Sequence, residues 1–232
     1  MKTLTIRFAA PLQSYGNEAS FNYRTTNPYP TKSAVIGMVA AALGYQRTDQ
    51  RILQLNELSF AVRIDQVGSI LTDYQVVEWK ANSRKVTYRD YIQDAVFMVA
   101  LGSEDVTLIE TIEQALHQPR FPLFFGRRSN PPAGVLKTQQ FSDMQPVAVL
   151  KIVDWRASSW YQRKAECQKK TPILDIIADA NLIPDGDSTI VKDNVGSFDQ
   201  RNRYHKFRAI ARTTVKSADL NVSTDHDIMG AI

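Results

Sequence analysis

Residues needed for disulfides and membrane anchoring are scarce in this sequence. Cys167 is the only cysteine among 232 residues, so no disulfide can form within the chain, which fits a reducing cytoplasm. No apolar run approaches the roughly 20 residues of a membrane span. Residues 1–7 alternate like a strand and lack the apolar core of a signal peptide. We therefore expect a cytoplasmic protein that makes no membrane contact.

The groups that bind metals and cofactors are also few. Three histidines and one cysteine supply no Cys/His set suited to zinc. Asp185 and Asp187 flank a turn glycine, where we expect solvated carboxylates. The Lys32-Ser33 pair is typical of a nucleotide-binding P-loop, but the glycines that this motif needs before the lysine are missing. We therefore expect neither a metal nor a cofactor.

The composition supports a sizeable core and a mildly basic surface. Hydrophobic residues make up 44% of the chain, which suits one large domain or two small ones. With 28 Lys and Arg against 24 Asp and Glu, the net charge is +4 and the pI is about 9.1. Such a charge permits a nucleic-acid partner without requiring one.

Hydrophobic periodicity predicts an α+β domain over residues 1–145. A basic, protruding hairpin or mobile loop is expected at 78–89. When this insertion is set aside, the order of elements is βαββαβ, as in ferredoxin-like folds, and the RNA-recognition fold with the same topology offers an open sheet face to RNA. The predicted elements are a strand at 4–8, a helix at 33–43, paired strands at 60–64 and 70–77, a central strand at 95–101, a helix at 106–117 and a strand at 123–125.

The sequence from residue 146 onward predicts a smaller, β-rich domain that ends at residue 217. Six basic residues and no acidic one lie between Arg201 and Lys216. Residues 218–232 are acidic and weakly patterned, so we expect a loose tail there. The predicted elements are strands at 147–153, 189–192 and 207–215, with a helical period at 173–182.

The segment 122–134 is the clearest candidate for a ligand site. Gly126 allows backbone angles that are closed to other residues, or a close approach to a ligand. Arg127 and Arg128 carry forked donors suited to phosphate, and Ser129 and Asn130 add short polar groups. We interpret residues 126–134 as a glycine-rich phosphate loop. The alternative is a turn with solvated arginines.

Two further stretches have features of anion or base binding. The helix predicted at 33–43 offers free N–H groups near Ser33, and Lys32 adds a positive charge. The polar connection 17–30 mixes aromatic and basic residues, among them Arg24, and such loops can stack bases and hold phosphates. An equally open alternative is a surface loop whose aromatic side chains fold back onto the core.

Four segments together resemble a known family: Phe8–Gly16, Tyr29–Gly37, Tyr88–Ala95 and Phe124–Ser129. In this order and spacing they are similar to the fifth family of CRISPR-associated proteins, within the RAMP superfamily. More narrowly, they resemble its members in the subtype I-E Cascade surveillance complexes. The resemblance covers roughly residues 1 to 135 and is loose in the C-terminal part.

This resemblance implies a ferredoxin-like domain with a glycine-rich loop, a thumb-like insertion at about 77–91 and a small C-terminal domain. It implies a subunit that holds the 5′ handle of the CRISPR RNA (crRNA) and caps one end of the backbone filament. The implied partners are the backbone subunits and the large subunit, with target DNA met only indirectly through the complex.

Residue type and resemblance together predict an RNA clamp. Phosphate contacts are expected from arginine and lysine side chains, and backbone donors from Gly126 and Ser33. Gln13 is a candidate for base or ribose contacts, as are Ser129 and Asn130, and Tyr15 is a candidate for stacking on a base. The predicted RNA-binding residues are Gln13, Tyr15, Arg24, Lys32, Ser33, Arg89, Gly126, Arg127, Arg128, Ser129 and Asn130.

Two other functions stay open beside this non-catalytic RNA binder. Relatives of subtype I-C are repeat endoribonucleases, and metal-independent RNA cleavage needs a base, an acid and a cation, which Tyr, His and Lys can supply. The segment Tyr204-His205-Lys206 is the one to test, but successive residues of a strand point to alternate faces. The other function is a structural adaptor whose basic residues pair with acidic partner surfaces.

Overall fold

A computed structural model describes residues 1–17 and 22–220 of the chain. The strands are β1 (Lys2–Ala9), β2 (Leu12–Gln13), β3 (Tyr15–Gly16), β4 (Tyr23–Arg24), β5 (Thr26–Asn27), β6 (Ser59–Gln66), β7 (Ser69–Lys80), β8 (Ser83–Gln93), β9 (Val96–Ser103), β10 (Thr138–Phe141), β11 (Ile173–Asp179), β12 (Ser188–Ser197) and β13 (Tyr204–Lys216). The α-helices are α1 (Lys32–Ala42), α2 (Arg51–Gln54), α3 (Val106–His117), α4 (Pro146–Leu150) and α5 (Ser159–Cys167). Short 3₁₀ turns lie at Leu55–Glu57, Ala180–Leu182 and Ser217–Asp219.

Seven strands form one antiparallel sheet in the order β10-β1-β9-β6-β11-β13-β12. In β9 every residue from Val96 to Gly102 is buried, which explains the unbroken apolar run of the predicted central strand. A smaller sheet joins β7, β8, β2 and β4, and β3 pairs with β5. The confirmed strand predictions are those at 4–8, 60–64, 70–77, 95–101, 189–192 and 207–215.

Helices cover both faces of the main sheet. α1 and α3 pack on one face, where Phe97 of β9 meets them, and α4 packs on the other face with Met98. Both long helices are confirmed, and each has a side-chain cap at its start. The side chain of Thr31 accepts a hydrogen bond from a first-turn N–H group of α1, and Asp105 accepts two from α3.

β7 and β8 form one long antiparallel hairpin over residues 69–93. The expected pairing of residues 70–77 with 60–64 is wrong, because β6 is already hydrogen-bonded to β9 on one edge and to β11 on the other. The hairpin therefore begins well before the predicted 78–89 segment. Its exposed large apolar side chains are Ile70, Leu71, Tyr74, Val76, Val77, Trp79, Val86 and Tyr88.

Residues 123–125 do not form the predicted strand. Phe125 bonds through its backbone to Ser14 and Asn130, which are loop contacts and not a ladder. β10 takes the edge position beside β1 instead. The apolar run misled the prediction because Leu123 and Phe125 pack onto the core from a loop.

Two predictions beyond residue 145 are wrong in element type. The first residues of the predicted strand at 147–153 lie in helix α4 instead. This helix has a proline in its first turn, a position that suits this residue. The predicted helical segment at 173–182 contains β11. Its two faces are both buried, with Ile177 in the core beneath α1 and Ile176 in the core beneath α4. A strand buried on both faces shows no period of two in its apolar residues.

The C-terminal strands β11, β13 and β12 continue the main sheet from β6 and form no sheet of their own. A separate domain over 146–217 stays a prediction. Leu220 is buried, and residues 221–232 of the predicted tail lie outside the described residues. No helix in the described parts of the chain is long and apolar enough to cross a membrane.

Candidate nucleic-acid interface

Gly126 brings the loop 126–134 into direct backbone contact with the segment after β2. Its φ is +83°, and a Cβ built on it would lie 1.6 Å from the carbonyl oxygen of Ser14. The Ser14 N–H donates to the carbonyl of Phe125 at 3.2 Å. A side chain at residue 126 is therefore excluded twice, by the backbone angle and by the backbone that it would meet.

The loop is supported by Phe125 and closed by Asn130. The Phe125 ring stacks on Phe8 of β1, with ring centres 4.4 Å apart. Asn130 is only 1% exposed, its carbonyl accepts from the Phe125 N–H at 2.8 Å, and its own N–H donates to the Arg127 carbonyl at 2.9 Å. Asn130 thus shapes the loop from inside, and the predicted base or ribose contact does not fit its burial.

Arg127, Arg24 and Arg89 converge beside this loop, and we call them the arginine cluster. Arg127 Nη2 donates to the carbonyl of Arg24 at 3.1 Å, and its guanidinium lies 4.6 Å from the centre of the Tyr91 ring. Arg24 and Arg89 are direct partners where β4 pairs in parallel with β8. The loop, the connection after β1 and the hairpin therefore each contribute one arginine.

Two guanidinium nitrogens of the arginine cluster, Arg89 Nε and Arg127 Nη1, are buried with no hydrogen-bond partner among the described residues. Leaving a buried donor unsatisfied costs about 1–3 kcal/mol, and more for a charged group. Asp73 lies across the hairpin ladder from Arg89, but its Oδ2 accepts a hydrogen bond from Gln75 at 3.3 Å. An anion that accepted from both arginines would satisfy these donors.

A cleft of about 230 Å³ opens beside the arginine cluster. Burial alone would raise the pKa of Tyr91 in its wall, but contacts with Arg127 and Ser129 and the charges of Arg127 and Arg89 lower it. The neighbouring arginines therefore favour the ionised form of this tyrosine. Sequence reasoning missed the cleft, although Tyr91 lies in the segment 88–95 that carries the family resemblance. The lining residues are Leu12, Leu71, Thr72, Asp73, Tyr91, Ser129 and Asn130.

Arg128 and Ser129 lie at the exposed tip of the loop. The Ser129 hydroxyl donates to Asn130 Oδ1 at 3.1 Å and faces the cleft. The Gly126 N–H, predicted to donate to phosphate, donates instead to the Phe124 carbonyl at 3.2 Å. Side chains therefore provide the open donors of this loop.

Gln13 and Tyr15, predicted to contact RNA, are both fully buried beneath the loop. The Tyr15 hydroxyl donates to Gln13 Oε1 at 2.6 Å, and Gln13 Nε2 donates to the Ala95 carbonyl at 2.8 Å. Burial raises the pKa of Tyr15 well above its ordinary value. In this arrangement the two side chains support the segment that receives Gly126, and both are closed off from the surface.

Lys32 and Ser33 lie in a different environment from the arginine cluster. Lys32 is buried, with Nζ 3.1 Å from Asp179 Oδ2, and its N–H donates to Asp193 Oδ2 at 2.9 Å. Arg208 binds both carboxylates, at 2.7 Å from Asp179 and 2.5 Å from Asp193. Burial lowers the pKa of Lys32, and the charge of Asp179 opposes that shift. Protein carboxylates thus occupy the start of α1, so the predicted phosphate contacts of Lys32 and half-buried Ser33 do not fit this structure.

An arginine cluster beside a cleft on an α+β fold fits the family that the sequence resembles, and comparison with known proteins agrees. The model of the Cas5d family, described as CRISPR-associated protein (Cas_Cas5), matches residues 3–215. The chain therefore belongs to the Cas5 family, and the resemblance seen in its sequence is confirmed.

Individual relatives point the same way. The chain is 35% identical over 148 residues to the CRISPR system Cascade subunit CasD of Escherichia coli (strain K12), a match that covers 55% of this chain and 66% of that protein, just under two thirds. A chain of a solved CRISPR RNA-guided surveillance complex is 29% identical with a TM-score of 0.74, covering 98% of this chain and 97% of the other. A solved Cas protein is 28% identical with a TM-score of 0.70, covering 95% and 98%. The α+β fold of these structures is thus shared along nearly the whole chain.

Proposed function

We propose that this chain is a non-catalytic crRNA-binding subunit of a type I-E Cascade-like antiviral surveillance complex. It holds the 5′ handle of the crRNA and caps one end of the backbone filament. The observation that carries the proposal is the arginine cluster, with two buried guanidinium donors that have no partner among the described residues and a cleft beside them. Membership of the Cas5 family and the similarity to CasD support it.

The arginine cluster brings together residues from three chain segments, and Arg89 and Arg127 provide its buried donors. A phosphate placed there accepts charge-assisted hydrogen bonds from Arg89 and Arg127 together, and exposed Arg128 reaches a neighbouring phosphate. A base or ribose of the same strand enters the cleft, where Tyr91 offers an aromatic ring and Ser129 a hydroxyl. The buried predicted residues position this clamp and do not touch the RNA.

The finer fold assignment is part of the same proposal. The strands β10-β1-β9-β6 are adjacent in that order, α1 connects β1 toward β6, and α3 lies between β9 and β10. This is the βαββαβ order of a ferredoxin-like unit. The hairpin β7–β8 is then the thumb, inserted between the second and third strands, and residues 146–217 form a lobe that extends the same sheet.

The hairpin is the proposed contact with a neighbouring backbone subunit. Tyr74 and Trp79 are each 68% exposed, within a row of other exposed apolar side chains. Exposed apolar side chains in such number are typical of protein–protein contacts. The complex also contains the large subunit, works in the cytoplasm and meets target DNA through its other parts.

An endoribonuclease is not favoured. His205 lies on β13 of the main sheet and packs edge-on against Phe198 with ring centres 6.2 Å apart, whereas Arg24 and Arg89 of the arginine cluster lie in the smaller sheet. Burial lowers the pKa of His205, and Arg203 adds to the shift. The Tyr204 ring lies against the backbone of Gly196. These contacts are those of a packed sheet edge.

The test is binding of a labelled RNA that carries the 5′ handle, measured by filter binding. Arg127→Ala with Arg128→Ala should weaken it about 10- to 100-fold, because two charge-assisted contacts are lost. The slope of log affinity against log salt should fall by about 1.4. The matched control is Arg47→Ala with Lys137→Ala, two exposed cations outside the cluster. Equal affinity of both variants would contradict the proposal, and metal-free cleavage of repeat RNA by the wild type would overturn its non-catalytic part.

A further inference from the structure

The excess positive charge of the chain is concentrated away from the arginine cluster. Residues 146–217 carry 13 Lys and Arg against 8 Asp and Glu, whereas the rest of the chain carries 15 and 16 of the total 28 and 24. The proposed crRNA clamp therefore does not account for the basic character of the protein.

One face of β12 and β13 exposes apolar side chains together with cations. Ile190 is 71% exposed and Phe207 is 68% exposed, and Ile190 pairs across the ladder with Ala209. The ammonium of Lys192 lies 5.6 Å from the centre of the Phe207 ring. Arg208, one residue along β13, points to the other face, where it binds Asp193.

Arg203 directly precedes Tyr204, the first residue of β13, and adds a cation at this end of the strand. Besides burial, the positive charge of Arg203 and, less strongly, that of Lys192 lower the pKa of His205, and the negative charge of Asp193 opposes them. Asp193, the acidic residue next to Lys192, is held on the opposite face by Arg208 and by the N–H of Lys32. Asp193 is therefore paired with Arg208 and forms no ion pair with Lys192 among the described residues.

We propose that this face, defined by Ile190, Lys192, Arg203 and Phe207, binds single-stranded nucleic acid independently of the arginine cluster. An exposed aromatic ring beside cations is the arrangement that stacks an unpaired base and holds its phosphates. A duplex keeps its bases stacked inside and could not use the Phe207 ring. β12 is the edge strand of the sheet, so a strand of nucleic acid can leave the face without obstruction from a further strand.

The test uses the full chain and a labelled 12-nucleotide oligothymidylate, a probe that carries no handle sequence, in fluorescence anisotropy at several salt concentrations. Phe207→Ala should weaken binding about 10-fold, the loss expected for one stacked base. Lys192→Gln with Arg203→Gln should reduce the salt slope by about 1.4, because two phosphate contacts disappear. Binding of a blunt duplex of the same length should not respond to Phe207→Ala.

The controls separate this proposal from the crRNA clamp. Arg47→Gln with Lys137→Gln removes the same charge elsewhere and should bind the oligonucleotide like the wild type. Arg127→Ala with Arg128→Ala should keep most oligothymidylate binding. If Arg127→Ala with Arg128→Ala abolishes oligothymidylate binding, the inference is wrong. It is also wrong if Phe207→Ala binds the oligonucleotide as well as the Arg47→Gln with Lys137→Gln control does, and Lys192→Gln with Arg203→Gln does the same. Normal oligonucleotide binding by Phe207→Ala with failed assembly of the complex would also overturn it, and would identify the face as a protein contact.

Discussion

Replacing Gly126 with alanine should displace the loop of the proposed RNA clamp without changing any charged side chain. The added Cβ would meet the Ser14 carbonyl oxygen at 1.6 Å. Because that oxygen belongs to backbone, no side-chain rotation can relieve the contact. The loop must move by about 1.8 Å to reach an ordinary 3.4 Å contact, and Arg127 moves with it.

The magnitude follows from two losses. Alanine in the left-handed region costs about 1–2 kcal/mol. Separation of the loop from Ser14 breaks the 3.2 Å hydrogen bond from the Ser14 N–H to Phe125, which adds about 1 kcal/mol. The free energy of unfolding should therefore fall by about 2–3 kcal/mol. Affinity for the handle RNA should fall at least about 10-fold, since one misplaced charge-assisted contact is worth that much.

Gly134 provides a matched control within the same loop. Its φ is +84°, but nothing lies within 4 Å of a Cβ built there. Gly134→Ala should therefore lower the free energy of unfolding by about 1–2 kcal/mol, through backbone strain alone, and leave RNA affinity unchanged. Urea unfolding and filter binding measure both quantities. If the two variants lose the same stability and bind the handle RNA equally well, the Ser14 contact does not hold the loop and the reasoning is refuted.

Three further substitutions test other parts of the structure. Tyr15→Phe leaves Gln13 without its donor and should lower the free energy of unfolding by about 1–3 kcal/mol at neutral pH. Since burial raises the pKa of Tyr15, this tyrosine ionises in the unfolded chain before it does so in the folded protein, which destabilises the wild type above pH 10. Urea titrations should therefore show the stability difference between Tyr15→Phe and the wild type narrowing above pH 10. A difference that stays constant with pH would contradict this prediction. Lys32→Met leaves Asp179 one cation short and should cost about 1–3 kcal/mol. Because the folded pKa of Lys32 is lowered, the wild-type advantage should grow as the pH rises toward 10.5, and a shrinking advantage would contradict this. Trp79→Ser should change unfolding by less than about 0.5 kcal/mol but reduce co-purification of the backbone subunit, and undiminished co-purification would exclude it from that contact.

Local sequence patterns predicted the elements that are apolar on one side only or along their whole length. β1 alternates, α1 and α3 carry caps, α3 has a single buried face, and β9 is apolar along its length. Local patterns failed where the structure of a segment depends on which other strands and helices lie beside it. The segment 70–77 is strand-like on its own, but only the three-dimensional arrangement shows that both edges of β6 are occupied. Likewise, the double burial of β11 removes the alternation that would have identified it.

The candidate site likewise has a part that local sequence patterns predicted and a part that they did not. Glycine, arginine and serine in a row were sufficient to indicate the loop at 126–129, because their chemistry is local. The contacts of Lys32 with Asp179 and Asp193 could not be predicted, because these partners are 147 and 161 residues away in the chain. The burial of Gln13 and Tyr15 could not be predicted either, because polar groups that bond to each other in a core look in sequence like polar groups that await a ligand.

The main sheet sets the lateral spacing between the two proposed nucleic-acid surfaces. The loop rests on Phe8 of β1 through Phe125, and Phe207 lies on β13. Three strands, β9, β6 and β11, separate β1 from β13, so the two lie four strand spacings apart, about 19 Å across the sheet. This separation cannot shrink unless backbone ladders break. The subunit would therefore impose a minimum length on any nucleic-acid strand that engages both surfaces, and oligonucleotides shorter than that span would occupy only one surface at a time.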